Sequence, residues 1–267
     1  MDGAAPSTTL AVVVPCFDEE RRLPVDRLTE LAGSDGISLV LVDDGSTDNT
    51  RELLRSVAAA SPTATVVELT RNVGKGEAVR RGLIVARTLG TAWVGYLDAD
   101  LATSPDELIR LSLIAAGDSE LDVVMAARVA LLGRTIVRSP FRHYTGRVFA
   151  TFASIVLGLP VYDTQCGAKL IRAGDELDQA ISVPFRSRWA FDVELLGRLR
   201  KCGLSDDSIW EEPLQSWSDV AASRRTLAAS VRGIVELELI RRDLARWPHE
   251  DSHRGRASTG SLVSPRP

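Results

Sequence analysis

Two carboxylates one residue apart, Asp98 and Asp100, flank Ala99 at the end of an apolar run, Trp93-Val94-Gly95-Tyr96-Leu97. A run of this length with turn residues nearby reads as a buried strand. Side chains at its end converge just beyond the sheet, where two negative charges are costly unless a cation neutralises them. A hard divalent ion, Mg²⁺ or Mn²⁺, suits such a pair when phosphate oxygens supply its other ligands. A solvated loop is the alternative for an isolated Asp-X-Asp. Three more polar clusters close apolar runs upstream. Pro15 and Phe17 can shape a flat slot for a base, with Glu19 holding polar groups beside it. Asp43, followed by Asp44, Gly45, Ser46, Thr47 and Asp48, can accept hydrogen bonds from a base N–H or a ribose hydroxyl. Helix capping by Ser46 or Asp48 is the other use of that cluster, and different residues can serve both. Residues 72–78 open a helix with two glycines around Lys75, a start that can face a diphosphate. The stretch is not a P-loop, because the Gly-x-x-x-x-Gly-Lys-Ser/Thr spacing is missing.

The elements that must carry these clusters alternate. Strands are expected at residues 10–15, 37–42, 65–69, 93–97 and 123–126, and helices at residues 23–32, 50–60, 76–89 and 105–116. Such alternation predicts an α/β fold with a mainly parallel sheet and right-handed crossovers. Ligands of such sheets bind beyond the carboxyl ends of the strands, where all four polar clusters fall.

The 267 residues suit one large α/β domain with ample core. A formal net charge of −4 argues against a nucleic-acid partner. Cys16, Cys166 and Cys202 are widely spaced and form no zinc pattern, so reduced thiols and a cytoplasmic setting are the simplest reading. His143, His249 and His253 make no ligand cluster. Residues 1–9 lack the basic and apolar regions of a signal peptide, and no apolar stretch reaches transmembrane length.

The second half has another character. Between Val123 and Tyr162 there is no acidic residue but five arginines, Arg128, Arg134, Arg138, Arg142 and Arg147. The apolar residues 141–159 lie in the same stretch. Cations beside apolar surface suit a phosphorylated lipid or an anionic membrane; a buried helix with arginines at its rim fits the same composition. Residues 226–247 carry Leu227, Val231, Ile234, Leu237, Ile240, Leu244 and Trp247 at helical spacing, for packing on the domain or for lying on a membrane. Residues 248–267 read as a disordered tail.

The order of motifs resembles the family 2 glycosyltransferases of the GT-A fold. The motifs are Val-Pro-x-Phe-Asp-Glu-Glu, Val-Asp-Asp-Gly-Ser-Thr-Asp, Asn-x-Gly-Lys-Gly-x-Ala and Asp-Ala-Asp, and the resemblance spans residues 10–217. Within that family, residues 163–170, residues 188–196 and the Ala102-Thr103 pair after the triplet are similar to the dolichyl-phosphate β-glucosyltransferases. Asp18 stands where those relatives have Asn, Ala168 where they have Phe, and Ala222-Ser223-Arg224 only approximates their Gly-Ser-Lys. The N-terminal membrane helix of the eukaryotic members is not expected here.

The resemblance implies a GT-A domain over residues 10–217, with a nucleotide-sugar half (10–127) and an acceptor half (128–217) that includes a helical segment. A flexible N-terminus (1–9) and a C-terminal amphipathic helix (218–247) flank it. It implies transfer of a hexose, glucose, from UDP-glucose to a polyprenyl phosphate with inversion, by a protein that is cytoplasmic or peripheral on the inner face of a membrane. Pro15, Phe17, Glu19, Asp43, Asp44, Lys75, Asp98, Ala99 and Gln165 are expected at the donor, and Asp98 and Asp100 at Mg²⁺ or Mn²⁺. Arg128 and Arg142, with Arg138 third, are expected to bring the acceptor phosphate up to the donor. Asp192 is the general base if the acceptor is a hydroxyl, and holds a sugar hydroxyl if it is a phosphate; capping or an ion pair with Arg188 is its structural alternative. Gln165 can bind the sugar or a loop backbone, and Trp189 can floor the sugar site or fill core.

Overall fold

The computed structural model describes residues 9–218 and 227–247, and of residues 140–142 and 227–232 the backbone alone. The expected flexible start, up to residue 8, and the expected tail from residue 248 lie outside the described residues. In chain order the elements are β1 (Leu10–Cys16), α1 (Val25–Ala32), β2 (Ile37–Asp43), α2 (Thr50–Ala60), β3 (Ala64–Glu68), α3 (Lys75–Thr88), β4 (Trp93–Leu97), α4 (Pro105–Gly117) and β5 (Val123–Ala127). The second half adds β6 (Thr135–Val137), α5 (Pro140–Leu157), β7 (Ala168–Arg172), α6 (Asp175–Ala180), α7 (Phe191–Lys201), β8 (Ile209–Pro213), β9 (Ser216–Ser218) and α8 (Leu227–Arg246).

Seven strands form one sheet in the order β3-β2-β1-β4-β7-β5-β8. Because successive strand residues point to opposite faces, β1 divides itself between two cores. Ala11 and Val13 join the core made with α3, α5, α6, α7 and α8. Leu10, Val12 and Val14 join the core made with α1, α2 and α4. The chain runs outward from β1 to β3 and then returns to place β4 on the other side of β1. That reversal opens a crevice beyond the carboxyl ends of β1 and β4.

The sheet is mixed and mainly parallel, as expected, and one strand of it is reversed. β7 runs antiparallel to both β4 and β5, and pairs Ala168 with Leu97. Its amino end therefore meets the carboxyl ends of its neighbours. The segment leading into β7, residues 163–167, is delivered to the crevice for that reason.

The apolar stripe of α8 packs inward: Leu237, Ile240 and Leu244 are buried in the core shared with α7. Leu244 lies so close to α7 that a Cβ at Gly197 would meet its Cδ1 at 2.4 Å. Val235 and Leu239 of α8 face outward. Cys16, Cys166 and Cys202 are buried free thiols. Among the described residues no helix is long and apolar enough to cross a membrane.

Replacing Ile240 by Ala should cost about 2–5 kcal/mol of unfolding free energy, as for other buried aliphatic truncations. The neighbouring Leu239→Ala should stay within about 0.5 kcal/mol, as expected for an exposed side chain. Urea unfolding of the two variants separates a docked α8 from one that only grazes the domain.

Candidate active site

The strand-end carboxylates are held by different partners. Asp98, just past β4, accepts a hydrogen bond from Lys75 Nζ at 2.5 Å, and its own N–H donates to the Gly167 carbonyl at 3.0 Å. Burial works against its charge, yet Lys75, Arg128 and Lys169 together hold its carboxyl below the ordinary range. Lys75 is kept above its usual value in turn: burial opposes it, and Asp98, Asp192 and Asp100 outweigh burial. Asp100 is pushed the other way. Burial raises it, Asp98 adds repulsion, and the N–H of Ala102, at 3.1 Å, is its one hydrogen bond among the described residues. Gly167 has no room for a side chain, because a Cβ there would lie 2.0 Å from Asp98 Oδ2.

Beside this corner a cavity of about 330 Å³ is lined by Pro15, Phe17, Glu19, Asp44, Lys75 and Arg188, among others. Glu19 Oε1 accepts from Arg22 Nη2 at 2.8 Å, whereas Oε2 is buried with no partner among the described residues. Burial raises the Glu19 carboxyl above its ordinary value.

The structure places three of the expected donor residues in supporting positions. Asp43 is fully buried; its oxygens accept from the Ser46 N–H at 3.0 Å and from Arg51 Nε at 2.8 Å. Asp44 accepts from the N–H groups of Val73 at 2.7 Å and Gly74 at 2.9 Å, so both of its oxygens hold the turn into α3. Gly74 takes φ +97° in that turn, a conformation that favours glycine. Ala99 is buried in the core, away from solvent. At the start of α2 the local turn is made by Asp48, which accepts the Thr50 N–H at 3.0 Å.

Asp192, the second residue of α7, interacts with both regions: its charge acts on Lys75 of the donor corner, and it bonds Gln165, which lines a second cavity. Its Oδ1 accepts from Lys169 Nζ at 2.7 Å and from the Tyr96 hydroxyl, and its Oδ2 from Gln165 Nε2 at 3.5 Å. Lys169 is buried and also donates to the Cys166 carbonyl at 2.8 Å. The ion pair of Asp192 is thus with Lys169. Arg188, the partner considered from sequence, instead bonds Asn72 Oδ1 at 2.6 Å. Asp192 caps nothing, since the N-cap residue of α7 is Ala190. Tyr96 and Lys169 carried no assigned role in the sequence. The only signal was a phenol and an amine inside strand-like runs, where an apolar residue would do for packing alone.

The second cavity, also about 330 Å³, has walls from Tyr144, Val148, Phe149, Trp189 and Ile234, and a polar end from Arg128, Arg138, Arg147 and Gln165. Trp189 packs edge-on against Phe149, ring centroids 4.9 Å apart, so it serves both core and cavity. The structure brings Arg128 and Arg138 to this cavity. The side chain of Arg142 lies outside the described residues, and its backbone is in the first turn of α5. Arg128 is not a bare cation: its Nε and Nη2 grip Asp163 at 2.6 and 2.8 Å. Burial raises the Asp163 carboxyl, but Arg128 prevails and brings it down to about 2. Arg147 donates to the Tyr162 carbonyl at 2.9 Å and stacks on the Tyr162 ring.

The sequence model described as glycosyl transferase family 2 matches residues 11–175. A dolichyl-phosphate beta-glucosyltransferase from Dictyostelium discoideum is 29% identical over 230 residues, 80% of this chain and 68% of that protein. The one from Mus musculus is 32% identical over 208 residues, 72% of this chain and 63% of its own length. Among solved structures, glucosyl-3-phosphoglycerate synthase from Mycobacterium tuberculosis in complex with Mn²⁺ and UDP-glucose superposes with a TM-score of 0.65, at 20% identity over 91% of this chain and 80% of that one. Mannosyl-3-phosphoglycerate synthase from Rubrobacter xylanophilus gives 0.66, at 20% identity over 94% and 78%. At such identities these two likenesses establish the fold. The matched segment contains all four strand-end motifs and the Gly167 loop, and on that ground the chain belongs to glycosyl transferase family 2 and carries the GT-A fold.

Proposed function

We propose that this chain moves glucose from UDP-glucose to the phosphate of a polyprenyl lipid, with inversion, working against a membrane surface. The observation that carries the reading is the second cavity, with apolar walls and three arginines in its lining, linked through Gln165 and Asp192 to the donor corner. A prenyl chain suits the walls and a phosphate suits the arginines. The relatives named as dolichyl-phosphate beta-glucosyltransferases support both ends of that assignment.

In this reading the uracil ring lies against Pro15 and Phe17, with Glu19 Oε2 as acceptor for its N–H. Asp100 and Asp98 fit a divalent cation on their own chemistry. Asp100 is a half-buried carboxyl with a like charge beside it; among the described residues it has one hydrogen bond and no ion-pair partner within 4.0 Å, Lys75 and Arg22 acting on it only from farther off. No third His, Cys, Asp or Glu converges on the pair among the described residues, so phosphate oxygens of the donor would supply the remaining ligands. Such a cation would act as a Lewis acid on the departing UDP. Lys75 adds a second positive charge from the start of α3. One oxygen of the acceptor phosphate attacks the anomeric carbon while the bond to the UDP oxygen breaks, and that oxygen keeps the electron pair. A phosphate needs no base near pH 7, and Asp192 remains the tie between Lys169, Tyr96 and Gln165.

The outward faces of α5 and α8 support the membrane setting. Tyr144, Val148, Phe152 and Ile155 follow one another along α5, with Val235 and Leu239 on α8, all exposed. Tyr144 and Val148 also line the cavity, so a lipid leaving its mouth continues onto this stripe.

Incubation with UDP-glucose and a polyprenyl phosphate should give a glucosyl lipid identified by mass, abolished by EDTA; a panel of other nucleotide sugars and of sugar acceptors should be unused. Asp100→Asn should lower kcat at least about 100-fold, the scale of losing the electrostatic stabilisation of a leaving group. Full activity in EDTA, or glucose appearing on a hydroxyl acceptor, would sink the reading. Gly167→Ala forces Asp98 off its position and should cut kcat at least about tenfold with the far-UV spectrum intact, since small misplacements at a reacting centre are expensive. Activity within twofold would mean that the close approach does not hold Asp98. The pair Phe152→Glu with Ile155→Glu should lower co-flotation with anionic vesicles about tenfold or more, since each charge opposes insertion. It should leave kcat on a short, water-dispersed prenyl phosphate unchanged; undiminished flotation would remove the stripe from the membrane.

A further inference from the structure

Two buried polar side-chain atoms have no hydrogen-bond partner among the described residues, Glu19 Oε2 and Thr164 Oγ1. An orphaned buried polar atom carries an uncompensated desolvation cost, so natural proteins keep few of them. These two are not scattered. Glu19 lines the nucleotide cavity and Thr164 lines the apolar-walled one. Glu19 has a role in the proposed donor site; Thr164 has none.

The surroundings of Thr164 make its hydroxyl conspicuous. The N–H groups of Tyr162 and Asp163 are taken by Glu211, at 2.7 and 2.5 Å. The Tyr162 carbonyl is taken by Arg147, the Asp163 carboxylate by Arg128, and the Gln165 N–H by Asp163 Oδ1 at 3.2 Å. The Gln165 amide reaches Asp192 and the Cys166 carbonyl takes Lys169. Every neighbour in this loop is tied, and the loop does not need the Thr164 hydroxyl to hold its shape. The residue is 1% exposed, so bulk water is not its partner. What remains is a ligand in the cavity it lines. The groups gathered at that end, Arg128, Arg138 and Arg147, are cationic donors, and their common complement is an oxyanion.

We infer that the Thr164 hydroxyl donates a hydrogen bond to a non-bridging oxygen of the phosphate bound in this cavity, and so fixes which of its oxygens is presented toward the donor. This rests on the acceptor reading of the cavity. A hydroxyl is suited to the task because it adds a directed donor without a further charge beside the Arg128–Asp163 pair.

The test uses Thr164→Val, which keeps the shape and removes the hydroxyl, and Thr164→Ser, which restores it. Calorimetric titrations with farnesyl phosphate, farnesol and inorganic phosphate are run on the wild-type chain and both variants, with melting curves alongside. Farnesyl phosphate should bind about tenfold more weakly to Thr164→Val, the scale of one hydrogen bond to a charged group. Thr164→Ser should stay within about twofold of wild type, as the donor is restored. Farnesol should bind the wild-type chain and Thr164→Val alike. The melting temperature of Thr164→Val should be unchanged or higher, because the hydroxyl has no partner to lose. Equal farnesyl phosphate affinities for wild type and Thr164→Val, or a lowered melting temperature in Thr164→Val, would overturn the inference. Inorganic phosphate binding as tightly as farnesyl phosphate, and weakened alike by Thr164→Val, would keep Thr164 as a phosphate donor and make free phosphate the ligand. Farnesyl phosphate that binds but never receives glucose would overturn the transfer reading and leave Thr164 decided by the affinity ratio. No phosphate binding at all would overturn both.

Discussion

Burying negative charge at one edge of a sheet is the constraint around which this molecule is arranged. Asp43, Asp44, Asp98, Asp163 and Asp192 are gathered beyond the strand ends, and each is matched on the spot. Arg51 answers Asp43, two backbone N–H groups answer Asp44, and Lys75 answers Asp98. Arg128 answers Asp163 and Lys169 answers Asp192. A buried charge left without a partner costs several kcal/mol, so these pairings are conditions for folding at all. Against that background Asp100 and Glu19 stand out. Both carboxyls are raised by burial, Asp100 has a single backbone donor, and Glu19 keeps one oxygen unpaired. The edge is compensated except where a cation and a nucleobase are proposed to enter.

The antiparallel strand makes that compensation possible. Had β7 run parallel to its neighbours, Lys169 and the loop from Asp163 to Gly167 would lie at the far edge of the sheet. Reversed, β7 carries Lys169 under Asp192, Gly167 against Asp98, and Asp163 to Arg128. Three carboxylates and two cations are settled by the direction of five residues.

That direction was the part of the fold hidden from the sequence. The strands β1 to β5 announce themselves through apolar runs, and the polar residues ending each run mark the edge to which ligands come. Residues 168–172, which contain Lys169 and Arg172, were assigned no element from the sequence, and their strand state is fixed by pairing on both sides with β4 and β5. For the same reason Lys169 and Tyr96 could not be placed at Asp192: each sits on a different strand, and only the register brings them to one oxygen. Asp44 and Ala99 were expected at the donor, and just past the strand ends the two part: Asp44 lines the nucleotide cavity while its oxygens hold the turn into α3, and Ala99 is buried in the core. Arg128 was legible as a cation in an acid-free stretch; its partner Asp163, one residue past the end of that stretch, was not.

Satisfied and unsatisfied groups are thus distributed with a purpose that follows from the reaction proposed. Asp192 takes hydrogen bonds from Tyr96, Lys169 and Gln165, and in the reading proposed this network stands between the two substrates. A complete buried network is stiff, because moving one member leaves the others unpaired in a low dielectric. Transfer between two anions needs such stiffness: the phosphate must come within bonding distance of the anomeric carbon while repelling the diphosphate behind it. A wall that yielded would let the two anions move apart. On either side of the wall the incomplete groups, Glu19 in one cavity and Thr164 in the other, are the ones free to change partner when substrates arrive. The site is therefore rigid where substrates must be kept in register and unsaturated where they must be held.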